Sequence, residues 1–128
     1  MEIICNLNKN LYKIITKDIS SDEVIITDRA IEHIKTSHPN DFENFSRYFT
    51  EIITAPDYIL EANVPNRALL LKEILFEDKK FKLILRLQTS ADNPEFKNSI
   101  VTFQSISEKR YRQYIKNAKI LYKNPNLE

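Results

Sequence analysis

Glycine is absent from the 128-residue chain. The P-loop and the G-x-G-x-x-G turn both need glycine so that the backbone can approach a phosphate closely. Enzymes that hold a nucleotide cofactor by those loops are therefore excluded. Where the backbone needs a positive φ, we expect asparagine or aspartate, because these residues tolerate the left-handed region best after glycine.

Cysteine and long apolar runs are also scarce. The single cysteine, Cys5, excludes an intramolecular disulfide and fits a reducing compartment. No apolar run approaches the roughly 20 residues that a membrane helix needs. The first ten residues lack the basic segment and long apolar core of a secretory signal. We therefore expect a cytoplasmic protein with no membrane partner.

The composition predicts one soluble domain, spanning residues 1–128, with 42% hydrophobic and 29% charged residues. Its charge is unevenly distributed. Residues 1–63 carry 6 Lys/Arg and 11 Asp/Glu, whereas residues 64–128 carry 13 Lys/Arg and 7 Asp/Glu. Such a basic half can bind an anionic partner such as nucleic acid. Equally, the two halves can neutralise each other on folding, and both interpretations stay open.

The first half of the chain favours a hairpin followed by two helices. Residues 2–7 and 11–17 are β-leaning runs around an Asn-Lys-Asn turn, which predicts an N-terminal hairpin. A helix is predicted from Thr27 or Asp28 to about His38, where Pro39 disfavours the helical conformation of the preceding residue. The second helix is predicted at 41–54 from its apolar stripe.

The second half favours strands and a closing helix. Ser107 is predicted to cap a final helix that reaches about Lys123. Short connections between the preceding runs predict a mostly antiparallel sheet and an α+β fold. The four predicted strands lie at 58–62, 68–76, 81–89 and 99–105.

Both histidines, His33 and His38, lie in the first predicted helix. Histidine has the side-chain pKa nearest to neutral pH, so it is the usual acid or base of metal-free catalysis. The five-residue spacing does not match the four-residue spacing of zinc metalloproteases, so we expect no metal and no cofactor. The plainer alternative to a catalytic role is that one histidine lies on the surface and the other at the helix terminus. A helix C-terminus is expected to favour the charged form of His38.

Two cations interrupt apolar strands. Lys72 lies in A-L-L-L-K-E-I-L-F and Arg86 in F-K-L-I-L-R-L-Q, and a charge there is costly unless it reaches an edge, a partner or a cleft. A two-residue loop at Asp78-Lys79 would put them on opposite faces of the sheet. A three-residue loop at 77–79 would put them on one face with Lys82. We prefer the three-residue loop, because it leaves a single charge on the apolar face.

Two further features fit a site that binds phosphate. Thr102 lies in the last predicted strand, where β-propensity alone explains most threonines. The run at 108–119, E-K-R-Y-R-Q-Y-I-K-N-A-K, interleaves basic and aromatic residues. It predicts an amphipathic helix whose basic face can contact phosphates, with Arg110 and Arg112 as candidates.

The order of these features resembles a known family. Five features follow one another along the chain. They are a helix with H-x-x-x-x-H-P, a segment P-D-Y-I, a strand with an embedded lysine, a strand with L-I-L-R-L and a strand with I-V-T-F. This order resembles the phage-associated members of the barnase–EndoU–colicin–RelE-like nuclease superfamily, over about residues 24–122. The resemblance implies a helix-then-antiparallel-sheet fold and a metal-independent endoribonuclease of the toxin or effector kind. The positions that match are His33, His38, Lys72, Arg86 and Thr102.

The implied reaction is attack of a ribose 2′-OH on the adjacent phosphate of RNA, which leaves a 2′,3′-cyclic phosphate. Either histidine can take either proton-transfer role, Lys72 and Arg86 would hold the phosphate, and Thr102 would donate a hydrogen bond. Additional substrate contacts are expected from three basic residues, namely Lys82, Arg110 and Arg112. RNA and a cognate inhibitor are the expected partners. The alternative is a non-catalytic nucleic-acid-binding module or a phage assembly component.

Overall fold

The structure, a computed structural model, describes residues 2–127. These residues form a mixed α+β fold, as predicted, built on one seven-stranded sheet. The strands are β1 Glu2–Asn6, β2 Glu23–Ile26, β3 Tyr58–Glu61, β4 Arg67–Ile74, β5 Lys79–Arg86, β6 Asn98–Ile106 and β7 Ile120–Lys123. Their order is β1-β2-β6-β5-β4-β3-β7, and neighbours are antiparallel except β2 and β6.

Helices flank the sheet on both faces. The helices are α1 Lys9–Tyr12, α2 Asp28–Ser37, α3 Asp41–Phe45, α4 Phe49–Thr54 and α5 Glu108–Asn117, with 3-10 turns at Ser46–Tyr48 and Leu75–Glu77. None of the helices within residues 2–127 has the length and apolar character to cross a membrane.

The predicted N-terminal hairpin is wrong. Asn8 caps α1, because its side chain accepts hydrogen bonds from the backbone N–H of Asn10 at 3.0 Å and of Leu11 at 3.4 Å. The helical turn buries Tyr12, whose hydroxyl donates to the Ile53 carbonyl at 2.6 Å. β1 pairs with β2 instead of with the segment that follows the turn.

Helix α2 confirms the first predicted helix. The Thr27 side chain accepts from the Ala30 N–H at 3.1 Å, and the helix ends at Ser37, just before His38 and Pro39. Thr27 lies at the end of β2, so one short connection carries the chain from the sheet into the helix.

The single helix predicted at 41–54 is wrong in detail, because α3, a 3-10 turn and α4 replace it. Phe45 leaves the helical region at φ −131° and ψ 1°. The ring centre of Phe81 lies 5.0 Å from the ring centre of Phe45 and 6.2 Å from that of Tyr48. We infer that burial of aromatic surface against β5 stabilises the break in the helix.

The sheet confirms the four predicted strands as β3, β4, β5 and β6, but it is larger than predicted. The closing helix begins after Ser107, as predicted, yet it ends at Asn117. Residues 120–123 form β7, which pairs with β3. Pairing there satisfies backbone groups that β3 would otherwise leave open at an edge of the sheet.

The preferred register between β4 and β5 is wrong. Lys72 pairs with Phe81, and four residues connect the two strands. The last of these, Asp78, has φ 52°, which allows the tight turn without glycine. Because facing residues share a face, Lys72 lies on the face of Phe81, opposite to Lys82 and Arg86. Lys72 and Arg86 therefore lie on opposite faces of the sheet, as the alternative with a two-residue loop predicted. The loop itself has four residues instead of two.

The two faces of the sheet have different covers. The first, the core face, packs against α1, α2 and α4 through buried residues that include Ile34, Ile52 and Phe81. The second, the α5 face, buries Leu60, Leu69 and Leu71 under the aromatic side of α5. As expected for a chain without glycine, the positive φ angles within residues 2–127 belong to asparagine and aspartate, at Asn40, Asn66 and Asp78.

Candidate functional site

His38 ends α2 at the side of β6. Its N–H donates to the Ile34 carbonyl at 2.8 Å, and its side chain is partly buried, whereas His33 is exposed. Burial lowers the pKa of His38 below its usual 6.5. Asp41 opposes this effect, while the charges of His33, Lys82 and Arg110 lower the pKa of His38 further. The direction of this shift is opposite to the one expected from the helix end, so it favours the neutral imidazole of His38.

Asp41 ties the end of α2 to the sheet. Its carboxylate accepts from the Ser105 N–H at 2.8 Å and from the Ser105 hydroxyl at 3.1 and 3.2 Å. Its own N–H donates to the His38 carbonyl at 3.2 Å. Asn40, rather than Asp41, is the residue before α3. Asp41 therefore holds the end of α2, with His38, beside β6.

Lys82 and Arg110 meet at the ring of Tyr114. The Lys82 Nζ lies 5.3 Å from the ring centre and the Arg110 Cζ 5.7 Å from it. One Arg110 nitrogen, Nη2, donates to the Tyr114 hydroxyl at 3.4 Å. Burial raises the pKa of Tyr114, but hydrogen bonds and charges from Lys82 and Arg110 outweigh it and lower that pKa below 10. The phenol is consequently more acidic than a free tyrosine.

Thr102 lies on the α5 face with Lys82. It pairs across the strands with Ile84, and its neighbour two positions on, Gln104, pairs with Lys82. The Thr102 Oγ1 is buried and has no hydrogen-bond partner among residues 2–127. A buried hydroxyl without a partner costs free energy, but a ligand could accept its hydrogen bond only after the side chains that cover it have moved.

Arg86 lies on the same face as Lys82 but at the other end of β5. Four residues of extended chain separate them by about 13 Å. The Arg86 Nη2 donates to Asp92 Oδ1 at 2.7 Å. The backbone N–H of Thr89, followed by the Arg86 guanidinium, holds the pKa of Asp92 below its usual value. Arg86 is therefore bound to Asp92 at the opposite end of β5 from Lys82.

Two predicted residues lie elsewhere. Lys72 is on the core face, where its Nζ donates to the Ala55 carbonyl at 2.8 Å and to Asp57 Oδ1 at 3.4 Å. Arg112 is exposed on α5 and donates to Glu108 at 2.9 Å. The structure brings neither of them together with the histidines.

The electrostatic effect of Lys82 and Arg110 on His38, together with their contacts with Tyr114, defines what we call the histidine–cation cluster. It includes the second half of α2 with His38, the α5 face of β5 and β6, and α5 from Arg110 to Tyr114. Its members are His33, His38, Lys82, Thr102, Arg110 and Tyr114. Within residues 2–127, no group of three or more His, Cys, Asp or Glu side chains is arranged to hold a metal ion.

Tyr114 is not among the site residues predicted from the sequence, where it is only one of the aromatic residues of the run at 108–119. The signal was present in the spacing of Arg110 and Tyr114, since residues four apart lie on one face of a helix. Recognising it required knowledge that this face meets Lys82.

The family model described as phage-Barnase-EndoU-ColicinE5/D-RelE like nuclease2 matches residues 6–123. The chain belongs to this nuclease family. No curated protein and no solved structure significantly matches the chain. Family membership confirms the resemblance drawn from the sequence. It extends that resemblance to α1 and the segment before β2, which the expected 24–122 core left out.

Proposed function

We propose that this nuclease is a metal-independent endoribonuclease that cleaves RNA by attack of the ribose 2′-OH. The observation that supports this most strongly is a partly buried His38, with a lowered pKa, beside Lys82 and Arg110. A His38 imidazole whose neutral form is favoured would supply the base, and the positive charges of Lys82 and Arg110 would supply the charge stabilisation that the reaction needs without a metal.

In the proposed step, the neutral imidazole of His38 takes the proton of the 2′-OH. The 2′-oxygen then bonds to phosphorus and the bond from phosphorus to the 5′-oxygen breaks. The imidazolium of His33 gives its proton to the departing 5′-oxygen. The products are a 2′,3′-cyclic phosphate and a 5′-hydroxyl.

Two groups of the histidine–cation cluster would stabilise the charge that develops on phosphorus. Lys82 and Arg110 offer positive charge, and Arg110 can bind two phosphoryl oxygens at once. The proposed hydrogen bond from the Thr102 hydroxyl requires a movement that uncovers Oγ1, which is buried without a partner within residues 2–127. Arg86 would bind a phosphate farther along the RNA. Lys72 and Arg112 take no part in the proposed reaction.

The proposed biological role is that of a toxin or effector acting on cytoplasmic RNA. The family description places it among phage-associated nucleases. An RNA-cleaving enzyme of this kind requires restraint in the cell that makes it, so a cognate inhibitor that covers the histidine–cation cluster is part of the proposal.

The first prediction concerns product chemistry. Incubation with mixed RNA in EDTA should give fragments that end in 2′,3′-cyclic phosphate and begin with a 5′-hydroxyl. Lys82→Ala and Arg110→Ala should each lower the cleavage rate by about 10²–10³-fold, since each removes a preorganised cation. Mass spectrometry of the fragment ends and initial rates make the measurement.

The matched control is Lys109→Ala, which removes an exposed cation from the same helix outside the cluster. It should lower the cleavage rate far less than Arg110→Ala does. Intact RNA at high protein concentration, with binding retained, would instead favour the non-catalytic nucleic-acid-binding module.

A second prediction concerns pH. Asp41 raises the pKa of His38, so Asp41→Asn removes that contribution and the pKa of His38 falls further. The rise of kcat/KM with pH follows deprotonation of the base, so this rise should move to lower pH in Asp41→Asn. Lys82→Met should move the same rise to higher pH, because the Lys82 charge lowers the pKa of His38.

The control for this pH shift is Ser105→Ala, which removes the hydroxyl bonded to Asp41 but keeps the carboxylate charge. Its pH profile should match that of the wild type. If the kcat/KM profiles of Asp41→Asn and the wild type were superimposable, the pKa of His38 would not determine the rise of kcat/KM with pH.

A further inference from the structure

A cavity of about 460 Å³ adjoins the histidine–cation cluster. It lies between α5 and the turn that follows β3, and Arg110 and Tyr114 line both the cavity and the cluster. The volume falls in the range of roughly 300–1,000 Å³ that is typical of small-molecule sites. A substrate held at the cluster can therefore extend directly into this cavity.

The walls of the cavity suit a neutral, planar, polar group. Asn63, Gln113 and Asn117 line it with exposed amides, each of which both donates and accepts hydrogen bonds. At the rim, Lys119 lies 3.9 Å from Glu61, so their charges offset each other. Arg110 is the cation that remains on the cluster side. A second phosphate would find little positive charge deeper in the cavity.

Tyr114 adds an aromatic wall at the junction with the cluster. Gln113 and Asn117 are four residues apart on α5, so they lie on one face of the helix. Aromatic side chains stack on nucleobases, and side-chain amides form paired hydrogen bonds with base edges. These features together match a nucleobase better than a ribose or a phosphate.

We propose that this cavity binds the nucleobase next to the scissile phosphate, and that Gln113 and Asn117 read its hydrogen-bonding edge. The inference rests on the proposed ribonuclease function and names the part of the substrate that determines where RNA is cut. Arg110 links the two subsites, because it holds the phosphate at one end and borders the base at the other.

The test uses the four nucleoside 3′-monophosphates, which carry a base and a phosphate but no bond to cleave. Calorimetric titration of the wild-type protein should show one base binding about five- to tenfold more tightly than the weakest, as one or two hydrogen bonds would give. In the double variant Gln113→Ala/Asn117→Ala, the four affinities should agree within about twofold. The matched control, Asn10→Ala, removes an exposed amide from α1 and should keep the wild-type preference.

A further variant guards against a loss of binding that comes from altered folding. Gln113→Glu keeps the shape of the side chain but replaces the amide donor with an acceptor, so the preferred base should change. Equal affinities for all four nucleotides in the wild type, or a preference that survives both the double variant and Gln113→Glu, would overturn the inference. Because no cleavage is involved, base preference together with uncleaved RNA would reject the nuclease proposal alone.

Discussion

His38→Ala is expected to lower the rate of RNA cleavage by about 10²–10⁴-fold, which is the usual contribution of one positioned acid or base. The side chain is partly buried at the end of α2, and its pKa is lowered first by burial and then by His33, Lys82 and Arg110. For this reason His38 is the histidine that we propose as the base. Initial rates on a defined RNA, measured across pH, should show a wild-type rise below pH 6.5 that is absent in the variant.

Two controls separate this role from a structural one. Exogenous imidazole should partly restore cleavage in His38→Ala, because a diffusible base can occupy the space that the side chain leaves. The Ile34 carbonyl still accepts from the backbone N–H at position 38, so the thermal unfolding midpoint should change little. Wild-type cleavage by a folded His38→Ala protein would remove this residue from the mechanism.

The sequence predicts which residue types belong to the candidate site but not which side of the sheet they occupy. Lys72 and Arg86 were predicted as charges inside apolar strands, and whether they share a face with Lys82 depends on the connection between β4 and β5. Moving the register by one residue exchanges every side chain between the faces. Asp78 at φ 52° determines that connection, and no pattern within either strand reveals it.

The other errors also arise from contacts between distant segments. Residues 120–123 continue the apolar spacing of α5, and only pairing with β3, about sixty positions earlier, makes them a strand. Asp41 stands at the start of the second predicted helix, yet its carboxylate accepts from Ser105 on β6. The long, regular segments, α2 and the four central strands, were predictable because local periodicity alone specifies them.

Asp57→Ala is expected to destabilise the fold by about 3 kcal/mol, the lower end of the cost of breaking a buried ion pair. The Asp57 side chain is 6% exposed and that of Lys72 12%. Asp57 Oδ2 accepts from the Glu73 N–H at 2.8 Å, and Oδ1 accepts from Lys72 at 3.4 Å. Asp57→Ala would leave the nearly buried ammonium of Lys72 and the backbone N–H of Glu73 without the carboxylate that accepts from them. Lys72 keeps its bond to the Ala55 carbonyl, which limits the loss.

Urea unfolding of matched variants measures this contribution. The double variant Asp57→Asn/Lys72→Met removes both charges yet keeps an oxygen for the Glu73 N–H, so it should lose clearly less stability than Asp57→Ala. It should also cleave RNA at the wild-type rate while folded, because the pair lies on the core face, opposite to Lys82. A double variant as stable as the wild type that failed to cleave RNA would show that Lys72 takes part in the reaction. The active face of the sheet would then be the core face of Lys72 and not the α5 face of Lys82.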